Sequence, residues 1–302
     1  MTEFAEAGAS LRSARLRLSA ALWRRPWLKL GLLLAAPVLV FAVVYLGALA
    51  SLFVSAFWQI DSFTAAVVHK WTLDNFKTLW DDHTYWRITG RTIGLAAAVT
   101  VTDAVLAFPL AYFMARIAPP RWRALLFVAV LLPLWSSYLV RIYAWRTILA
   151  KNGALNWVLN GVGLPDAGLA YTNTAMWIVF SYVWLPFMLL PVYAALERIP
   201  DSYLEASQDL GAKGSRTLRS VILPLAIPGI VAGSIFTFSL TLGDFITPAL
   251  VGGAGSSFIG NIVEDKVGEP NIPFAAAFAT VPVVVMGIYL LIARRLGAFE
   301  AV

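Results

Sequence analysis

Six long apolar runs decide what this chain can become. They occupy about residues 30–58, 91–115, 123–146, 174–196, 220–243 and 274–293, separated by polar or Gly/Pro-broken segments. A helix rising 1.5 Å per residue needs about 20 apolar residues to cross the hydrocarbon of a bilayer. The spacing therefore predicts an all-α polytopic membrane protein with six transmembrane helices. Composition agrees: 60% of the 302 residues are hydrophobic and 13% are charged, where a soluble domain carries about a quarter charged residues. The apolar surplus is lipid-facing surface, not a larger core.

Lysine and arginine orient the spans, because cytoplasmic loops carry the excess. One set of ends holds Arg12, Arg15, Arg17, Arg24, Arg25 and Lys29, then Arg116, Arg121 and Arg123, then Arg198, Lys213, Arg216 and Arg219, and last Arg294 and Arg295. The opposite set holds Lys70, Lys77, Arg87, Arg91, Lys151 and Lys266, with Arg141 and Arg146 near a span end. The first set is about twice as rich and sits in shorter loops. Both termini are expected in the cytoplasm. Residues 1–29 read as a cytoplasmic segment, with 10–29 either a basic amphipathic helix on the inner leaflet or a frayed tail. Residues 30–302 read as one six-span domain. The first apolar run, about 28 residues, is too long for a cleaved signal peptide and reads as a retained span.

Several chemistries are excluded. Without cysteine there are no disulfides, thiolate nucleophiles or Cys-type metal sites. His69 and His83 share one polar segment with Asp74, Asp81 and Asp82, but their spacing fits no ligand motif, and a solvated loop is the better reading. No phosphate-binding loop, zinc-protease helix or nucleophile elbow occurs, so the chain is read as non-catalytic, with no cofactor and no metal of its own. The net charge of +6 comes without a basic patch interleaved with exposed aromatics, and no nucleic-acid partner is expected.

Every span carries proline: Pro37, Pro109, Pro133, Pro186 with Pro191, Pro224 with Pro228, and Pro282. Each removes a backbone donor and can bend its helix. Carbonyls freed in lipid must find partners in neighbouring helices, so the pattern points to irregular helices around a pathway.

The loop at residues 197–219 is expected to hold a short helix in water. Ser202-Tyr203-Leu204-Glu205 fits a capping box, the helix should run from Tyr203 to Leu210, and Gly211 should supply the left-handed turn that ends it. Ser215 is a candidate cap for a second helix that Pro224 bends. Tyr203, Ala206 with Ser207, and Leu210 share one face, with Asp201, Glu205, Gln208 and Asp209 largely elsewhere. So short a helix must bury that face, either on this chain's own helix ends or in a cytoplasmic partner.

Glu205-Ala206, Gly211, Leu223-Pro224 and Pro228-Gly229-Ile230 resemble the EAA loop of ABC importer permeases. Ser207 stands where the third motif residue is usually Ala. The resemblance implies a type I importer permease fold in the bacterial cytoplasmic (inner) membrane. It implies a coupling helix, carrying Tyr203, Glu205, Ala206, Leu210 and Gly211, docked in an ATP-hydrolysing subunit. It also implies the partners: a second permease, a dimer of ATP-binding subunits that hold ATP and Mg, and an extracytoplasmic binding protein. AFPLAYFMAR (107–116), LLPLWSSYLVRIYAWRTILAKNGALN (131–156), SLTLGDFITPALVGG (239–253) and WTLDNFKTLW (71–80) are similar to permeases of spermidine/putrescine importers, specifically the first permease of a heteromeric pair. A homodimer would fit the residues as well. Related importers of ferric iron, thiamine or oxyanions share fold and loop, and an ion-coupled secondary transporter is the alternative from another class.

A polycation path wants carboxylates and aromatic faces. Asp103 lies near the midplane, where an Asp costs roughly 2.5–3.5 kcal/mol to insert. It is either neutralised in packing or lines the path. Asp244 closes span five on the outer side as a candidate mouth, or else pairs with Arg141 or Arg146. Tyr182, Trp184 and Phe238 lie deeper than an interfacial aromatic belt explains. Arg141 and Arg146 oppose a polycation unless neutralised.

Overall fold

The computed structural model describes residues 26–61, 64–253 and 255–295, which divide into two compact units after Ser55. The first unit holds α1 (Pro26–Val40), a π-turn (Phe41–Leu46) and α2 (Gly47–Ser55). Within this unit, Leu33–Ser55 is long and apolar enough to cross a membrane. Residues 10–25 of the basic stretch lie outside the described residues.

The second unit opens with a small antiparallel hairpin, β1 (Gln59–Ile60) and β2 (Val67–Val68), with Gln59 opposite Val68. Helix α3 (Asp74–Asp81) follows, tied back by Asn75, whose amide donates to the Ala56 and Trp58 carbonyls at 2.8 Å each. Asp82 then starts α4 (His83–Tyr112) by accepting from the Thr84 amide at 2.7 Å. The Thr84 hydrogen bonds hold the Asp82 carboxyl below the usual carboxylate range. A π-turn (Phe113–Ile117) ends this helix.

The third apolar run departs from expectation. Helix α5 (Pro120–Leu131) tightens into a 3-10 turn (Leu132–Trp135), the chain extends at Ser136 and Ser137, and α6 (Tyr138–Leu149) and α7 (Ala154–Gly161) follow. The two arms are bent by 95°, so residues 123–146 do not form one straight helix. Pro133 has no N–H for the Ala129 carbonyl. The amide and hydroxyl of Ser136 then turn back to the Pro133 carbonyl at 3.2 and 2.7 Å, which closes the turn and ends the helix.

Helix α8 (Asn173–Glu197), capped by the Thr172 hydroxyl on the Ala175 amide at 3.1 Å, forms the centre. After it come α9 (Asp201–Asp209), α10 (Gly214–Thr217), a π-turn (Leu218–Ile222), α11 (Leu223–Leu242), α12 (Ile246–Val251), α13 (Ile259–Gly268) and α14 (Ile272–Arg295). The π-turn falls where Pro224 leaves the Ser220 carbonyl without its helical donor. Among the described residues, five helical stretches pass as spans alone, and the bent pair makes up to six.

Helices α4, α8 and α11 pack on one another. Glycine lets α8 and α11 approach closely: a Cβ at Gly229 would fall 2.5 Å from the Ala195 Cβ, and one at Gly233 2.8 Å from the Met188 carbonyl oxygen. Toward the α9 end, Ala107, Met114, Leu189, Leu196 and Ile222 form one buried cluster. Toward the other end, Val99, Ile142, Met176, Phe180 and Phe258 form a second.

Candidate functional site

The water-facing helix exists, with a different start. Helix α9 begins at Asp201 behind an extended Pro200, and no side chain caps it. Ser202 and Glu205 therefore form no capping box, because Ser202 already lies inside the helix. Ser215 likewise caps nothing, since α10 begins at Gly214 behind Lys213. The end of α9 is as expected. Gly211 takes φ +75°, its amide donates to the Gln208 carbonyl at 2.8 Å, and the Ala212 amide donates to the Ser207 carbonyl at 3.0 Å. That pair of bonds is a Schellman closure, which needs the left-handed residue glycine supplies.

The faces of α9 sort by burial. Leu204 packs on the buried cluster at this end, and the Ser207 hydroxyl meets the Thr217 hydroxyl at 2.9 Å. Tyr203 and Leu210 are 53% and 89% exposed, and Ala206 and Glu205 are exposed beside them. Tyr203, Ala206, Leu210, Ala212 and Arg216 border a cavity of about 490 Å³. An apolar stripe this exposed on a nine-residue helix is surface kept for something else to cover. Ser207 borders the same cavity, as its spacing predicts, while its hydroxyl turns to Thr217.

The other five candidates fall into separate places. Asp244, 8% exposed, follows Gly243 at the end of α11. Its Oδ1 accepts from the Ile246 and Thr247 amides at 2.7 and 3.2 Å, and its Oδ2 from the Thr247 hydroxyl at 3.0 Å and from the Tyr138 hydroxyl. Its side-chain partners are hydroxyls, not Arg141 or Arg146. The Tyr138 ring stacks on Trp184 with centroids 5.6 Å apart, and the Arg141 guanidinium carbon lies 5.9 Å from the centre of the Tyr138 ring. Asp244, Tyr138 and Trp184 thus form one acid-aromatic group.

Asp103 on α4 is fully buried, and neither carboxylate oxygen has a hydrogen-bond partner. Its polar neighbour is Ser181 on α8. The Ser181 hydroxyl and the Trp184 indole N–H, one turn apart on α8, are also buried without partners. The Trp177 indole donates to Thr102 at 3.1 Å and fixes the register of α8 on α4 at this level. Tyr182, 39% exposed, instead meets Trp145 edge-on at 5.2 Å. Phe238 stacks on Tyr289 of α14 at 4.4 Å, and the Tyr289 hydroxyl donates to Ser234 at 2.7 Å. Phe238 belongs to the α11–α14 packing and not to the group around Trp184.

Two residues in these sites escaped the sequence reading. Tyr138 lies among Trp135, Tyr143 and Trp145 in the third apolar run, and nothing in the sequence separates it from them. Arg116 was counted only for its charge, although it interrupts the run Phe113-Met114-Ala115 just before a helix end.

The family model described as binding-protein-dependent transport system inner membrane component matches residues 106–298. The chain is 48% identical to the inner membrane ABC transporter permease protein YdcU of Escherichia coli (strain K12), over 94% of this chain and 95% of that one. It is 37% identical to the spermidine/putrescine transport system permease protein PotB of Salmonella typhimurium (strain SL1344), over 74% of this chain and 78% of that one. Among solved structures, a bacterial alginate ABC transporter in complex with an alginate pentasaccharide-bound periplasmic protein aligns with a TM-score of 0.75 at 19% identity, covering 93% of this chain and 97% of that one. That likeness is one of fold.

Proposed function

The chain belongs to the family of binding-protein-dependent transport system inner membrane components, and from that premise we propose that it is the permease through which an ATP-driven importer moves a polyamine such as putrescine or spermidine inward. The observation that carries the coupling half is the exposed Tyr203–Ala206–Leu210 stripe on α9. The solute class is supported by the name of the PotB relative and by the buried Asp244–Tyr138–Trp184 group, since carboxylates and ring faces attract ammonium groups. Ferric iron, thiamine, oxyanion and ion-coupled readings have no such support.

In this reading both termini are cytoplasmic, and α9 sits in a cleft of an ATPase subunit that holds ATP and Mg. A second, non-identical permease completes the path, and an extracytoplasmic protein delivers the solute to the far face. ATP-driven closure of the ATPase pair displaces α9, and α8 and α11 follow through their chain connections. ATP can drive this only through a difference in ATPase affinity for the two transporter states.

The test is reconstitution of the chain with its ATPase, second permease and binding protein in liposomes. Uptake of labelled putrescine or spermidine that requires ATP, and that excess ferric iron, thiamine or sulfate fails to suppress, is expected. ATP-dependent uptake of another solute only would overturn the polyamine reading. Uptake without any ATPase would overturn the coupling reading.

A further inference from the structure

Arg116 lies in the π-turn that ends α4, and its guanidinium reaches acceptors on two other stretches. Nη1 meets Asp201 Oδ1 at 2.8 Å, and Nη2 donates to the Leu196 carbonyl at 2.6 Å and to the Ile199 carbonyl. Asp201 is the first residue of α9, while Leu196 and Ile199 bracket the end of α8. One planar cation therefore joins three helices. Its side chain is 12% exposed against 81% for Asp201, so the ion pair alone is weak. The stronger hold is on the carbonyls, because the last carbonyls of a helix are short of donors and carry the negative end of its dipole.

The other end of α9 is also held. Ser207 bonds Thr217, a buried residue directly before the π-turn that leads into α11. The two anchors of α9 are thus a residue within one π-turn and a residue adjoining another. π-Turns interrupt the regular ladder and concentrate at functional positions.

We infer that Arg116 is a positioning residue that makes α4 follow α9. Displacement of α9 then reaches α4 as well as α8 and α11, although no short connection in the chain joins α4 to α9. The inference rests on the coupling reading above. Lysine keeps the charge but not the planar fork that meets carbonyls and carboxylate together.

The test uses the complete transporter in lipid nanodiscs. The chain has no cysteine, so with cysteine-free variants of the partner subunits, single cysteines introduced at exposed Gln208 on α9 and exposed Ile117 at the end of α4 take spin labels uniquely. In the otherwise native chain the distance distribution is expected to be narrow and to keep its centre when ATP replaces ADP. With Arg116→Ala it is expected to broaden and to shift with nucleotide, while solute moved per ATP hydrolysed falls about five-fold or more. Arg116→Lys should fall between. An unchanged distribution in Arg116→Ala overturns the inference, and so does a broadened one with an unchanged solute-to-ATP ratio, which would make the clamp merely structural. If Arg116→Ala fails to assemble, a native ratio in Arg116→Lys overturns it. Failure of the unlabelled native chain to associate with an ATPase would instead overturn the coupling reading itself.

Discussion

The Ser207 hydroxyl lies 2.9 Å from the Thr217 hydroxyl, a contact that the alanine expected there from the resemblance could not make. Thr217 is 6% exposed, so its hydroxyl needs a partner away from water. Ser207→Ala should cost about 1 kcal/mol locally, the net worth of such a bond. Amide exchange across α9 is expected to quicken about five-fold at that cost, with uptake largely kept. Unchanged exchange would show that the bond does not hold the helix.

Gly211 has nothing within 4 Å of the place a Cβ would take. Only its φ of +75° restricts it, and a β-branched residue there is a genuine outlier. Gly211→Val should abolish uptake with the protein still inserted, because the Schellman closure opens. Gly211→Asn, which tolerates the left-handed region, should transport. Loss of uptake in both variants, with native exchange in α9, would assign the requirement to the partner's surface and not to the turn.

The six apolar runs were legible because length and hydropathy alone decide them. The break in the third was not, because a proline alone does not decide it: the five other proline-bearing runs stay helical through their prolines or begin just before them. Gly211 was readable, since a single residue's backbone requirement ends the helix. The start of α9 was misread because the Ser202–Glu205 pattern is local, whereas Pro200 sets the start earlier and Arg116, 85 residues before Asp201, anchors it. Ser207 facing Thr217, and Phe238 facing Tyr289 instead of Trp184, are tertiary facts that helical spacing does not encode.

Close approach of α8 and α11 leaves no room for a side chain at Gly233. A valine at Gly233 would drive its Cβ against the Met188 backbone, 2.8 Å from the carbonyl oxygen and 3.0 Å from the Cα. Backbone cannot step aside as a flexible side chain can, so Gly233→Val should destabilise by about 1–3 kcal/mol. The check is the denaturant midpoint of the purified protein in detergent. An unchanged midpoint would mean that the helices separate at no cost.

Asp244 is held by four donors, two of them backbone amides. Asn in its place can still accept those amides and can turn its own N–H toward the Tyr138 hydroxyl, so Asp244→Asn should fold normally. What it loses is the negative charge. Uptake of a polyamine should fall about ten-fold, the cost of about 1.4 kcal/mol of attraction. Uptake at the native level would remove Asp244 from the path.

Asp103 separates packing from transport. Its carboxylate is wholly buried beside Ser181 but in hydrogen-bond geometry with nothing, and an unsatisfied buried polar group costs about 1–3 kcal/mol. Asp103→Ala removes that cost without adding bulk to a fully buried place, and Val99 and Ala107, one turn away on either side along α4, are already apolar. The variant should therefore melt at a higher temperature in detergent. A residue kept against such a penalty is expected to serve the solute when the path opens, so uptake should fall sharply in the same variant. Higher stability with full uptake would make Asp103 a packed residue only, and lower stability would show that its burial carries no such penalty. The two readouts move in opposite directions only if the group is retained for passage at the expense of the fold.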